Sequence, residues 1–145
     1  MLAALLAKPY LAAPPQRSKK FQAQFDHESD PVRRAKLMRK ISSEDFRQIR
    51  DFLSVRDDGD SLMLLQQLRD DARLCDSQLD AVQKNPEAHP AGFKELQIAM
   101  RESLRRLDDL MPNLIYDEQA PFQYIRGELD EIDRRLIRQL FPRQP

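Results

Sequence analysis

Between residues 60 and 84 the apolar residues Leu65, Leu68, Ala72, Cys75, Leu79 and Val82 recur at steps of 3, 4, 3, 4 and 3. That spacing lays one stripe along an α-helix and cannot serve the two-residue period of a strand. It also predicts long helices packed side by side at shallow angles. The pattern returns twice, as Phe93, Leu96, Met100, Leu104, Leu107 and Met111, and as Phe122, Ile125, Leu129, Ile132, Leu136 and Leu140. Asn85-Pro86, Pro112, Pro121 and Phe141-Pro142 punctuate the three segments. Helices joined by short connections lie antiparallel. The expected fold is therefore all-α, with an antiparallel three-helix bundle over about 60–84, 90–111 and 121–141.

Upstream, Asp30-Pro31 is a helix start, with Asp as N-cap and Pro at the first helical position. A helix over 31–41 would turn Val32, Ala35, Met38 and Ile41 inward. Ser42-Ser43-Glu44-Asp45 then reads as a second N-cap followed by first-turn acids. Phe46, Ile49, Phe52 and Leu53 continue at helical spacing over 43–56. In Asp57-Asp58-Gly59-Asp60, Gly59 suits a left-handed cap and Asp60 the next N-cap. These two shorter helices form a hairpin over one end or face of the bundle. Only three Gly and no Trp occur, and β-branched residues are too sparse for a sheet. The chain of 145 residues is expected to hold one helical domain over 30–142, preceded by residues 1–29.

Those first residues differ in kind. MLAALLAKPYLAAPPQ is rich in Ala, Leu and Pro, contains no acid, and reads as a signal-peptide remnant or a disordered tail. A remnant over 1–13 implies export to the periplasm or medium; otherwise the chain is cytoplasmic. Phe21 and Phe25, four apart, could form one weak helical turn. No segment reaches the roughly 18 apolar residues of a membrane-spanning helix.

Searches for chemistry fail at named positions. Di-iron bundles use Glu-x-x-His pairs, yet His27 and His89 lie outside the long helices, and neither follows a Glu by three residues. A calcium loop built on Gly59 would need Glu where Leu65 stands. Cys75, the one cysteine, excludes an internal disulfide and falls on an inward stripe, so it reads as a small buried hydrophobe. No glycine-rich phosphate loop or nucleophile elbow is present. Asp70-Asp71 and Asp108-Asp109 are adjacent on helices and point apart. We therefore expect no catalytic site, metal site or cofactor.

The formal net charge is zero, but its sign is divided. Residues 1–56 contain twelve Lys/Arg against six Asp/Glu, a balance of +6 that the remainder offsets. Arg33, Arg34, Lys36, Arg39 and Lys40 supply a basic face on the first helix. It would dock on the acidic remainder of the same chain or receive an acidic partner. Nucleic acid ranks low, because aromatic residues for base stacking are not interleaved with the basic ones.

Two resemblances add to this reading. Ile125-Arg126 followed by Leu129-Asp130, Ile132-Asp133, Leu136 and Leu140 resembles the opening helix of the all-helical chorismate mutases. The resemblance would make Arg126 a carboxylate-binding residue, although the chain ends five residues after Leu140, where that family continues with two further helices. A wider one is carried by Asp30-Pro31-Val32-Arg33-Arg34-Ala35-Lys36-Leu37, His89-Pro90-Ala91-Gly92-Phe93-Lys94, Ser103-Leu104-Arg105-Arg106-Leu107 and Leu136-Ile137-Arg138-Gln139-Leu140-Phe141-Pro142. These segments resemble a small family of bacterial α-helical proteins, typically exported and without an established activity. The resemblance implies an all-helical fold and export, and brings no reaction.

The functional expectation is a non-enzymatic interaction or structural module with a protein partner at the basic face. Its alternatives are membrane-surface contact through the N-terminal lysines, Lys8 to Lys20, and a helical enzyme or small-ligand binder using Arg126. Apolar residues left outside the seams, Leu62, Leu64, Ile98, Leu110 and Ile137, leave a homodimer open.

Overall fold

The computed structural model describes residues 17–143 and is all-α. Among them, five helices pack against one another: α1 Lys19–His27, α2 Pro31–Ser54, α3 Asp58–Ala81, α4 Phe93–Leu110 and α5 Gln119–Leu140. Two 3₁₀ turns, Met111–Asn113 and Tyr116–Glu118, join α4 to α5. Successive helices of the bundle run antiparallel, as expected, but the bundle has four long helices. α2 is a single helix of 24 residues where the sequence predicts the hairpin 31–41 and 43–56.

The reason lies at Ser42 and Asp45. Ser42 is buried and its Oγ donates to the Arg39 carbonyl 3.1 Å away, so its hydroxyl is satisfied inside the helix and caps nothing. Ala35, Met38, Ile41, Ser42, Asp45, Phe46 and Ile49 are one unbroken inward stripe. Tertiary packing of that stripe overrides the local start signal. The start at Asp30-Pro31 forms as predicted, with the Asp30 carboxylate accepting from the Arg33 N–H at 2.9 Å.

The other end of α2 differs too. Arg56, at φ 59°, takes the left-handed position expected of Gly59. Arg56 N–H donates to the Leu53 carbonyl at 3.0 Å and Asp57 N–H to the Phe52 carbonyl at 2.8 Å. This is the Schellman pattern of a helix C-terminus. Asp57, not Asp60, caps α3 by accepting from Asp60 N–H at 3.0 Å, and Gly59 lies inside the first turn.

Side-chain rungs fix the packing order. Arg34 reaches Gln78 and Ser61 reaches the Ile49 carbonyl, so α2 and α3 form an antiparallel hairpin. Asp108 meets Arg126 and Gln97 meets Asp133, so α4 and α5 form another. Between hairpins the helices run parallel: Arg39 pairs with Glu102 across α2–α4, while Arg69–Glu128 and Asp80–Gln139 link α3 to α5. α3 and α4 meet less extensively across the diagonal. The hairpins close on each other at Gly92, whose φ is 86°. A Cβ there would lie 2.9 Å from Leu79 Cδ2 and 3.2 Å from Val32 Cα, so only glycine fits between α2 and α3.

A fourth long helix explains the leftover apolar residues. Leu64 and Leu110 belong to the core, while Leu62, Ile98 and Ile137 are half-buried. Val82, predicted inward, is 39% exposed because α3 ends at Ala81 and leaves it beyond the seam. Residues 17–29, expected to belong to an N-terminal tail, are instead docked through α1, with Phe25 buried against the bundle. Residues 1–13, on which the signal-peptide reading rests, and Lys8 lie outside the described residues.

Candidate functional site

The basic face of α2 does not behave as one surface. Arg34 turns toward α1 and α3: its Nε donates to the Phe25 carbonyl at 3.1 Å and Nη2 to the Asp26 carbonyl at 3.4 Å. Nη1 reaches Gln78 at 3.2 Å, and the guanidinium stands 5.1 Å from the Phe25 ring centre. Arg34 thus satisfies carbonyls at the end of α1 and is a structural tie. Arg33 projects at the N-terminus of α2 beside Glu28 (3.5 Å) and Asp30 (3.7 Å). Lys36, Arg39 and Lys40 instead line an open groove of about 810 Å³ with Phe21, Ser43 and Glu44, facing Glu95, Glu102 and Arg106 of α4.

Inside this groove the charges are unequally engaged. Arg39 Nη2 holds Glu102 at 2.9 Å. Glu44 accepts from Arg47 Nε at 3.0 Å and Nη2 at 2.5 Å, which holds its carboxyl below the usual range. Glu95 accepts the Gly92 N–H at 2.7 Å and so completes the cap of α4. Every acid of the groove therefore has a partner. Lys36, Lys40 and Arg106 form no ion pair among the described residues. Arg106 lies with its guanidinium 6.0 Å from the Phe46 ring centre, and its Nη1 is buried without a hydrogen-bond partner. Packing on the ring orients the side chain while leaving its charge unneutralised.

Behind α2 the arrangement is reversed. Arg17 is 1% exposed, with Nη2 2.7 Å from Asp45 Oδ2 on α2 and Nη1 2.5 Å from Asp71 Oδ2 on α3. Burial nonetheless dominates the Asp45 carboxyl: loss of water pushes it up to about 7, against the opposing pull of Arg17. Asp71 is raised for the same reason. Cys75 is fully buried, and its thiol is pushed up to about 12, chiefly by burial. That placement suits the hydrophobe the sequence suggests and not a nucleophile.

Arg126 makes a two-point contact with Asp108, Nε to Oδ1 at 2.6 Å and Nη2 to Oδ2 at 3.0 Å, on the outer side of the α4–α5 hairpin. Its carboxylate-binding capacity is taken up by a residue of its own chain. Among the described residues no three His, Cys, Asp or Glu side chains gather as a metal site would require, and no helix is long and apolar enough to cross a membrane. Lys19 and Lys20 are exposed on α1.

Sequence reasoning missed Arg106, Arg17 and Asp45. Arg106 comes to α2 only because α2 and α4 run parallel, which no local pattern encodes. Asp45 did leave a signal, since it stands on the inward stripe between Ser42 and Ile49. The chain matches no protein-family profile, no curated protein and no solved structure.

Proposed function

We propose that the protein is a non-enzymatic binding module whose α2–α4 groove receives an acidic amphipathic helix from a protein partner. One observation carries the reading: Lys36, Lys40 and Arg106 converge on a groove whose own acids are already engaged. Cations left without counter-charges attract an acidic segment and steer its approach. Phe21 and the aliphatic stems of the lysines supply apolar area beside the charges. Helix-in-groove binding needs this combination of an apolar strip and flanking charge.

The test uses a labelled Glu/Leu amphipathic helix as probe, titrated at low and high salt. Lys36→Glu with Lys40→Glu should weaken binding at least tenfold, and added salt should weaken the wild-type complex, because exposed charges are screened. Circular dichroism should be unchanged, since both lysines are exposed. Unaltered affinity in the double variant would reject the groove. Anionic vesicles run in parallel test the lysine-mediated membrane alternative; vesicle binding without probe binding would favour that alternative.

Export, and kinship with the exported bacterial family, belong to the same proposal and rest on residues 1–13 and the four resembling segments. N-terminal sequencing of the protein made in its own cells tests it, a start near residue 14 supporting export and an intact Met1 opposing it.

A further inference from the structure

α1 is nine residues long, shorter than the roughly 12–15 that a helix in isolation needs. A three-residue link, 28–30, ties it to α2, and Phe25 is its one buried residue. The Phe25 ring stands between two guanidinium groups, 6.0 Å from Arg17 and 5.1 Å from Arg34. Those arginines reach Asp71 and Gln78 of α3. Asp71, Cys75 and Gln78 follow one another at i, i+4 and i+7 on one face of α3. Buried Cys75 thus stands on α3 between the two residues that the arginines flanking the ring reach.

The anchorage is weaker than its hydrogen bonds suggest. A buried ion pair gives back in desolvation much of what it gains in attraction. Among the described residues Arg17 Nε and Asp45 Oδ1 are also buried without hydrogen-bond partners, so the clamp is incompletely satisfied there. The other polar ties to α1 are Gln67 Nε2 to Gln22 Oε1 at 3.0 Å and the Arg34 guanidinium to the Phe25 and Asp26 carbonyls at its end. Short elements with few buried apolar contacts open locally, at less cost than global unfolding. Phe21, one turn before Phe25, lines the α2–α4 groove, so docking of α1 and the shape of the groove are linked through one helix.

We propose that α1 and Arg17 form a releasable strap, which opens while the four-helix bundle stays folded, uncovers Cys75 and withdraws Phe21 from the α2–α4 groove. Closure of the strap then sets the groove's affinity for an acidic helix. The second half rests on the binding reading given above; the first half does not.

Cys75, the single cysteine, reports strap opening through its reaction with a chromogenic disulfide reagent on the full chain. In the wild type the reaction should proceed at urea concentrations below the unfolding transition, with a rate that depends on urea far less than global unfolding does. Arg17→Gln should accelerate the reaction at least tenfold, and Arg17→Lys should restore part of the protection. The bundle's own unfolding transition should remain cooperative. If the rate in both proteins follows global unfolding alone, the strap is not a separate unit and the proposal fails. The Glu/Leu probe should bind Arg17→Gln at least threefold more weakly, although Arg17 is not part of the groove. Faster thiol reaction with unchanged probe affinity would overturn the coupling to the groove. A probe that fails to bind even the wild type would reject the groove reading and the coupling with it, while the thiol rates still decide whether the strap opens.

Discussion

The two sides of α2 put similar residues to opposite uses. Toward α1 and α3, Arg34 and the incoming Arg17 are drawn onto carbonyls, carboxylates and the Phe25 ring. Toward α4, Lys36, Lys40 and Arg106 line a groove and form no ion pair among the described residues. On the first side, burial decides: Arg17 is held between Asp45 and Asp71, and Arg34 spends its donors on carbonyls and Gln78. On the second, water solvates each ammonium and the charge remains available. Counting basic residues along the helix cannot separate these roles, because Arg33 and Arg34 are neighbours in sequence and belong to different environments.

Phe46 is common to both sides, being fully buried in the core with Arg106 over its ring. Phe46→Ala should produce the largest effect, a loss of about 3–5 kcal/mol in urea unfolding, because it leaves a cavity and exposes the stripe on either side. A loss under about 1 kcal/mol would mean that α2 is not packed through this residue, and the contrast between its sides would collapse.

Next in size is an unusual dependence on pH. Burial raises the carboxyl groups of Asp45, Asp71, Asp76 and Asp133, and Asp45 reaches about 7. Their folded values exceed the unfolded value of about 3.9, so between about pH 4 and 7 the folded state binds more protons. Stability from this source is therefore full below the unfolded value and is lost as pH rises through the folded one. Urea midpoints should climb by on the order of a few kcal/mol of stability as pH falls from 8 to 5. Asp45→Asn should flatten much of that slope. A flat wild-type profile would show that the Arg17 pair keeps Asp45 ionised.

Removing Arg17 sharpens the comparison further. Breaking a rigidly buried ion pair ordinarily costs about 3–5 kcal/mol. A strap that can lift lets water reach Asp45 and Asp71, which caps the penalty at the cost of local opening. Arg17→Gln should therefore destabilise by only about 1–2 kcal/mol, read from chemical denaturation. A larger loss would place the clamp within the bundle's cooperative unit.

Much of this architecture was legible in the residue pattern, and the failures have physical causes. The stripes through Leu65, Leu104 and Leu129 announced long helices because apolar periodicity reports burial directly. The break expected at Ser42 failed because Ser and Asp favour helix starts only when no buried neighbour claims their side chains. Asp45 had such a neighbour, Arg17, which lies 28 residues away in sequence and in a segment whose composition suggested a tail. For the groove, Lys36, Arg39 and Lys40 were visible on one helix. Arg106 was not, since its approach depends on the hairpins packing in parallel, a choice made by the whole core and by the close approach at Gly92.

The smallest expected effect tests the free side of α2 by itself. Lys36 and Lys40 stand one helical turn apart, an i,i+4 pair of like charges that is mildly destabilising. Binding surfaces carry this kind of conflict, because the charges that attract a partner repel one another before it arrives. Lys36→Glu, whose neighbours one turn away are Arg33, Arg39 and Lys40, should therefore raise stability at low salt by about 0.2–0.5 kcal/mol, the scale of such pairs. The gain should shrink as salt screens the repulsion. Arg34→Ala, on the other side of the same helix, should lose stability at every salt concentration, since it removes hydrogen bonds to the Phe25 and Asp26 carbonyls and the contact with the Phe25 ring. Opposite signs for two substitutions two residues apart on one helix would express the contrast thermodynamically; equal signs would place Lys36 among the residues that hold the fold together.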